Sequence, residues 1–99
     1  MAGNYFVYII TNKLRTTIYI GVTNDLPTRL KQHQENSGNP KSFAGRYNCF
    51  YLIYFERFST ARHAIDREKE LKKWSRVKKE ALINAFNPNW RFLNDEIQD

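Results

Sequence analysis

The stretch YIITNKLRTTIYIGVT, residues 8–23, decides how the rest of the chain reads. Two runs rich in aromatic and β-branched residues flank a short polar link, the pattern of two strands joined tightly. Strands over 5–10 (YFVYII) and 17–23 (TIYIGVT), linked by TNKLRT, make an antiparallel hairpin the economical arrangement. The hairpin carries one phenol in each strand, Tyr8 and Tyr19, and Gly21 follows the second. Tyrosine in a strand commonly serves as core with its hydroxyl at the rim, and a strand glycine marks a bulge or a close backbone approach.

Downstream, NDLPTRLKQHQ offers Asp25 or Asn24 as a cap and Pro27 in a first turn, which predicts a helix from about 26 to 35. The segment ENSGNPKSFAGRYN, 35–48, is rich in Asn, Gly, Ser and Pro and reads as a mobile loop. FYLIYFE, 50–56, is nearly continuous in apolar residues, as expected of a third strand that is central or well covered. Thr60 then caps a helix ARHAIDREKELKKW, and Ser75 caps RVKKEALINAF, which stops at Asn87-Pro88. The tail NWRFLNDEIQD is expected to pack Trp90 and Leu93 and then fray. The order ββαβαα predicts a small α+β fold, a three-stranded antiparallel sheet flanked by helices.

Ninety-nine residues suit a single domain, 1–99, with one modest core. No apolar run approaches the ~18 residues of a membrane span, and MAGNYFVYII lacks a basic leader, so no signal peptide is expected. The single Cys49 excludes an internal disulfide and a Cys-rich zinc site, which makes a cytoplasmic, reducing home the natural one. A net charge of +6 and a pI near 9.6 suggest an anionic partner, nucleic acid first. Composition is equally met by a basic surface with no partner, so the chemistry must come from particular residues.

One residue type stands out of place. On the helix from 61, Ala61, Ala64, Ile65 and Leu71 form an inward stripe at spacings of three and four, and Glu68 falls inside it. A carboxylate on a buried face needs pairing, hydrogen bonds or a metal. An ion pair to Arg29 or Arg62 satisfies it. So does a role as ligand to Mg²⁺, which accepts one protein carboxylate, several waters and substrate phosphate oxygens. Arg29 and His33, four apart, share one face of the first helix. They read either as solvated surface or as a phosphate fork with a proton relay beside it.

With these residues in view, the chain resembles the GIY-YIG nuclease superfamily. Phe6-Val7-Tyr8 stands where that family has its first triplet, ten residues intervene, and Tyr19-Ile20-Gly21 supplies the second. The leading glycine of the first triplet is replaced by Phe6. The run REKELKKWSRVKKEALINAFNPNWRFL, residues 67–93, resembles small stand-alone bacterial members of the subgroup with excinuclease-like and structure-specific nuclease domains. The resemblance implies a DNA endonuclease that hydrolyses phosphodiester bonds with Mg²⁺ or Mn²⁺, structure-selective and active in repair or recombination. It implies Tyr8, Tyr19, Arg29 and His33 as catalytic residues, Glu68 as metal ligand, and Gly21 and Asn87 as supports. A free phenol, with a pKa of about 10, is only about 0.1% ionised at neutral pH, so a cation or a relay has to assist Tyr8.

Binding is expected from Lys72, Lys73, Arg76 and Lys79 around the junction of the last two helices, part of a run that also holds Lys69 and Lys78. Lys41, Arg46 and Tyr47 in the loop are expected to close over the substrate. DNA is the expected partner and RNA serves the same features; the protein is expected to be a monomer that takes substrate specificity from a protein partner. The alternative is a catalytically weak nucleic-acid-binding module working beside such a partner, and a third is a basic scaffold. The acid on the inward stripe favours the enzyme, because a pure binder gains nothing from a carboxylate that repels phosphate.

Overall fold

A computed structural model of the chain describes residues 3–97. Strands β1 (Tyr5–Thr11), β2 (Ile18–Thr23) and β3 (Tyr51–Phe58) form one antiparallel sheet in the order β2-β1-β3. β1 is therefore central, and β3, expected to be central or well covered, lies at the edge. Its apolar run is explained by cover on both faces, since Leu52, Ile53 and Tyr54 are all buried. The register slips between Ile9 and Ile10, which face Tyr54 and Leu52, so Ile53 is the extra residue on β3.

Side-chain alternation splits the core in two. Val7, Ile9, Ile20 and Ile53 pack against Ala64, Leu71 and Ile83 of α3 (Ala61–Lys72) and α4 (Arg76–Phe86). Tyr8, Ile10 and Leu52 point the other way, onto Leu26 and Leu30 of α1 (Leu26–Glu35), Ala44 of α2 (Phe43–Arg46), Cys49 and Leu93. The three long helices begin where their caps demand. Asp25 accepts from the Thr28 amide at 3.2 Å, Thr60 from His63 at 3.3 Å and Ser75 from Lys78 at 3.2 Å.

Three expectations are corrected. The segment 35–48 is not a mobile loop: it holds α2, capped by Ser42, and is tied by Gly38 N–H to Gly45 O at 2.8 Å and Ser37 Oγ to Asn48 Oδ1 at 2.7 Å. A Cβ on Gly45 would lie 2.7 Å from the carbonyl oxygens of both Asn36 and Asn39, so the loop closes on itself only over a glycine. The tail does not fray after Leu93. The Asn94 side chain bonds the Leu52 N–H and the Phe50 carbonyl of the β3 region, and residues Asn94–Ile97 form a 3₁₀ turn; residues 98–99 lie outside the described residues. Ile65 leaves the inward stripe and is 40% exposed, because one step from buried Ala64 turns a helix by about 100°.

Candidate active site

Tyr8 and Gly21 face each other across β1 and β2. The Tyr8 side chain is fully buried, and a Cβ built on Gly21 would lie 2.4 Å from both its Cζ and its hydroxyl oxygen. The missing side chain at 21 is the seat of the phenol. No other residue type leaves room for the ring there without a shift of the ring or of β2.

α1 brings the two polar groups that meet this phenol. Leu26 and Leu30 anchor the helix in the core, which turns Arg29 and His33, one helical turn apart, toward the end of the Tyr8 ring. Tyr8 Oη lies 2.8 Å from His33 Nε2, and Arg29 Nε donates to the same oxygen at a long 3.4 Å. Burial, and then the Arg29 charge, push the His33 pKa below its ordinary 6.5, so the imidazole is neutral at pH 7. In the neutral tautomer with its proton on Nδ1, His33 Nε2 accepts the proton of the phenol. Burial also pushes the Tyr8 pKa above 10; Arg29 pulls it back only in part, while the Tyr19 and Glu68 charges add to the rise. The phenol is thus protonated, with an acceptor for its proton in place.

Tyr19 stands beside this pair, its ring 5.7 Å from that of His33. Glu68 comes from the opposite layer. Because β2 is an outer strand, the C-terminal half of α3 reaches around its edge, where Lys72 Nζ lies 5.7 Å from the centre of the Tyr19 ring and 3.0 Å from a Glu68 carboxylate oxygen. The ion pair of Glu68 is therefore with Lys72, not with Arg29 or Arg62; Arg62 instead pairs with Asp66 at 3.5 Å. The Glu68 side chain is only 15% exposed. A groove of about 500 Å³ opens beside Arg29 and His33, lined also by Tyr19, Gln32, Glu35, Asn36, Ser42, Phe43 and Ala44.

Among the described residues no group of three or more His, Cys, Asp or Glu side chains gathers to hold a metal. A lone hard carboxylate such as Glu68 suits Mg²⁺ or Mn²⁺, which keep waters and take oxygens from phosphate. It does not suit zinc, which is held by three or four protein ligands.

Comparison with protein families matches residues 4–81 to the GIY-YIG catalytic domain. The chain belongs to the GIY-YIG family. It is similar to the UPF0213 protein YazA of Bacillus subtilis, 39% identical over 81 residues that cover 82% of this chain and 79% of that one. A UPF0213 protein of Clostridium perfringens is 39% identical over 80 residues, covering 81% and 83%. The solution NMR structure of a UPF0213 protein from Bacillus halodurans aligns with 97% of this chain and 99% of its own, at 28% identity and a TM-score of 0.56.

Within the GIY-YIG fold the other expected residues separate into two groups. Asn87 is buried at the end of α4, where its amide donates to the carbonyls of Ile53 (3.0 Å) and Arg91 (2.9 Å) and accepts from the Arg91 N–H. It clips α4 and the tail to β3, and none of its hydrogen bonds goes to Tyr8, Arg29 or Glu68; its support is to the fold. Of the basic residues, Lys72 and Arg76 already have partners, Glu68 for the first, Glu80 and the Thr16 carbonyl for the second. Lys41, Arg46, Tyr47 and Lys73 are exposed, Lys79 is half-buried, and Lys78 lies over the Trp74 ring at 4.2 Å. Sequence reasoning missed Phe43, which lines the groove and is 51% exposed. The signal available was the pair Ser42 and Gly45, a cap and a close-approach glycine bracketing it, but a four-residue helix has no period to read.

Proposed function

We propose that this chain is a divalent-metal-dependent nuclease that hydrolyses phosphodiester bonds in DNA. The observation that carries the reading is the buried Tyr8 phenol, seated on Gly21 and bonded to His33, which with Arg29 lines an open groove. Membership of the GIY-YIG family supports it, since the matched domain is described as catalytic and the family's nucleases are generally metal-dependent.

Arg29 lines the groove, and its planar fork suits two oxygens of a phosphate. A water beside Tyr8 Oη attacks phosphorus, giving its proton to the phenol oxygen while the phenol passes its own proton to His33 Nε2. The P–O bond opposite breaks and the leaving oxygen departs with the electron pair. This relay needs no phenolate at rest, which fits a Tyr8 pKa above the ordinary value and a His33 pKa below it. Arg29 offsets the charge that builds on the equatorial oxygens. Glu68 would hold a divalent cation, which would supply Lewis acidity toward the phosphate and the leaving oxygen. Lys72 is the partner of Glu68 in the free protein.

The finer reading is a structure-selective enzyme of repair or recombination, since the groove presents charge and rings rather than a helix fitted to base edges. RNA meets the same chemistry, and a protein partner that confers substrate specificity is part of this reading. A reducing cytoplasm fits the free, buried Cys49, and no helix among the described residues is long and apolar enough to cross a membrane.

The test is cleavage of labelled duplex, flap, fork and single-stranded DNA with Mg²⁺, Mn²⁺ or EDTA, alongside Glu68→Ala. Metal-dependent cleavage that disappears in Glu68→Ala is expected. Salt-sensitive binding without cleavage, unchanged in Glu68→Ala, would leave a binding module and overturn the enzyme.

A further inference from the structure

Two large aromatic rings, Phe43 on α2 and Tyr47 at its end, sit in the open. Phe43 is 51% exposed and Tyr47 43%. The segment is also anchored by buried Ala44, Gly45 and Cys49 and by its hydrogen bonds. The rings continue the site outward. Phe43 stacks on Tyr19, with centroids 6.2 Å apart and planes at 26°, and Tyr47 follows at 4.8 Å and 51°. A ladder Tyr19–Phe43–Tyr47 thus starts beside His33; Tyr19 and Phe43 line the groove that Arg29 also lines, and Tyr47 follows behind Phe43. Exposed Lys41 and Arg46 flank it.

We infer that Phe43, with Tyr47 behind it, is a stacking platform for an unpaired nucleobase next to the scissile phosphate, so that the preferred substrate carries single-stranded nucleotides at the cut. Charge complementarity favours a nucleic-acid strand over an apolar peptide here: Lys41, Arg46 and Arg29 outnumber the one groove carboxylate, Glu35, and Arg29 takes the phosphate. In a duplex each base is stacked on both faces by its neighbours. Only a base freed from pairing offers a face to a protein ring, and such stacking is sequence-tolerant because every base has one. The inference rests on the proposed function in taking the groove as the path of the cleaved strand.

The experiment measures binding of a fluorescent 12-nucleotide single strand and the matching duplex to the wild-type protein in EDTA, where nothing is cut. Phe43→Leu and Phe43→Trp are measured beside it, and a 2-aminopurine in the single strand reports stacking through its quenching. Expected are tighter single-strand than duplex binding, a loss of about tenfold or more on the single strand in Phe43→Leu, little change on the duplex, and recovery of affinity and quenching in Phe43→Trp. Equal losses on both nucleic acids, no loss, or no quenching in the wild type would overturn the platform. Cleavage of the same oligonucleotides in Mg²⁺ separates the two ideas. Glu68-dependent cutting of duplex and single strand at one rate, indifferent to Phe43, removes the platform and keeps the nuclease. Phe43-dependent single-strand binding with no cutting under any metal removes the nuclease and keeps the platform.

Discussion

Tyrosine, arginine and glutamate come together twice in this molecule, and the two clusters are built to opposite ends. On the α3 side of the sheet, Arg67 grips Glu56 through Nε and Nη2 at 3.0 and 2.9 Å, bonds Glu70 at 2.7 Å, and lies over the Trp74 ring at 5.3 Å. Tyr54 donates to the same Glu56 carboxylate. Burial alone would raise the Glu56 pKa, but hydrogen bonds from Arg67 and Tyr54 win and hold it below the ordinary value. There one guanidinium is shared between two carboxylates, and both Glu56 oxygens have donors. Around Tyr8 the same residue types stay apart: Arg29 touches the phenol only at 3.4 Å, and Glu68 is met by one flexible lysine. A closed cluster stabilises. An under-compensated one facing a groove keeps its charges free for a ligand.

The contrast breaks most visibly at the two glutamates. Glu68→Gln is expected to lower the cleavage rate by about 10³-fold or more, while its partly exposed pair with Lys72 contributes at most about 1 kcal/mol to stability. Glu56→Gln is expected to do the reverse, destabilising by about 1–3 kcal/mol because half-buried Arg67 loses its charged acceptor, with the rate kept within about twofold. Rates and thermal melts on both variants decide it; parallel effects on the two readouts would dissolve the distinction.

The phenols sharpen it next. Tyr8→Phe should cost about 10²-fold in rate, and Tyr54→Phe should leave the rate alone. Gly21→Ala pushes a methyl into the Tyr8 ring, so it should match the kinetic loss of Tyr8→Phe and destabilise by about 1–3 kcal/mol as well. A stable, active Gly21→Ala protein would refute the seat.

The smallest effect lies in pH. His33 has its pKa lowered, so it accepts a proton only above that value, and the rate should climb with pH through a point below 6.5 and level off at neutrality. The same shift acts on stability. A folded-state pKa below the unfolded 6.5 means that the unfolded chain binds the proton first, so stability falls as pH drops from about 6.5 through the folded value. His33→Gln should remove both the acid limb and that share of the acid destabilisation. A wild-type profile flat from pH 5 to 7.5 would count against the relay.

Much of the fold was legible locally. The caps Asp25, Thr60 and Ser75 start helices where one hydroxyl or carboxylate can meet an N–H three residues on, and that is a short-range event written in the order of residues. The segment 35–48 was not, because its order comes from bonds between its two ends and from Gly45 fitting under two carbonyls. Strand order also escaped. β3 looks as apolar as a central strand because it is covered twice, yet it pairs only with β1.

By itself, the sequence determined the hairpin, the three long helices, and the pairing of Arg29 with His33 and Tyr8 with Tyr19 as residues of common elements, because turn chemistry and periodicity act over a few residues. It also singled out Glu68, since an acid on an apolar stripe is costly wherever the helix packs. Only the tertiary structure decided that Gly21 makes room for the Tyr8 ring, that Glu68 pairs with Lys72 beside the Tyr19 ring, and that Phe43 extends the Tyr19 wall. These are contacts between residues far apart in the chain, and they depend on which strand lies outermost and how a short, Gly-bracketed helix closes, neither of which any local pattern encodes.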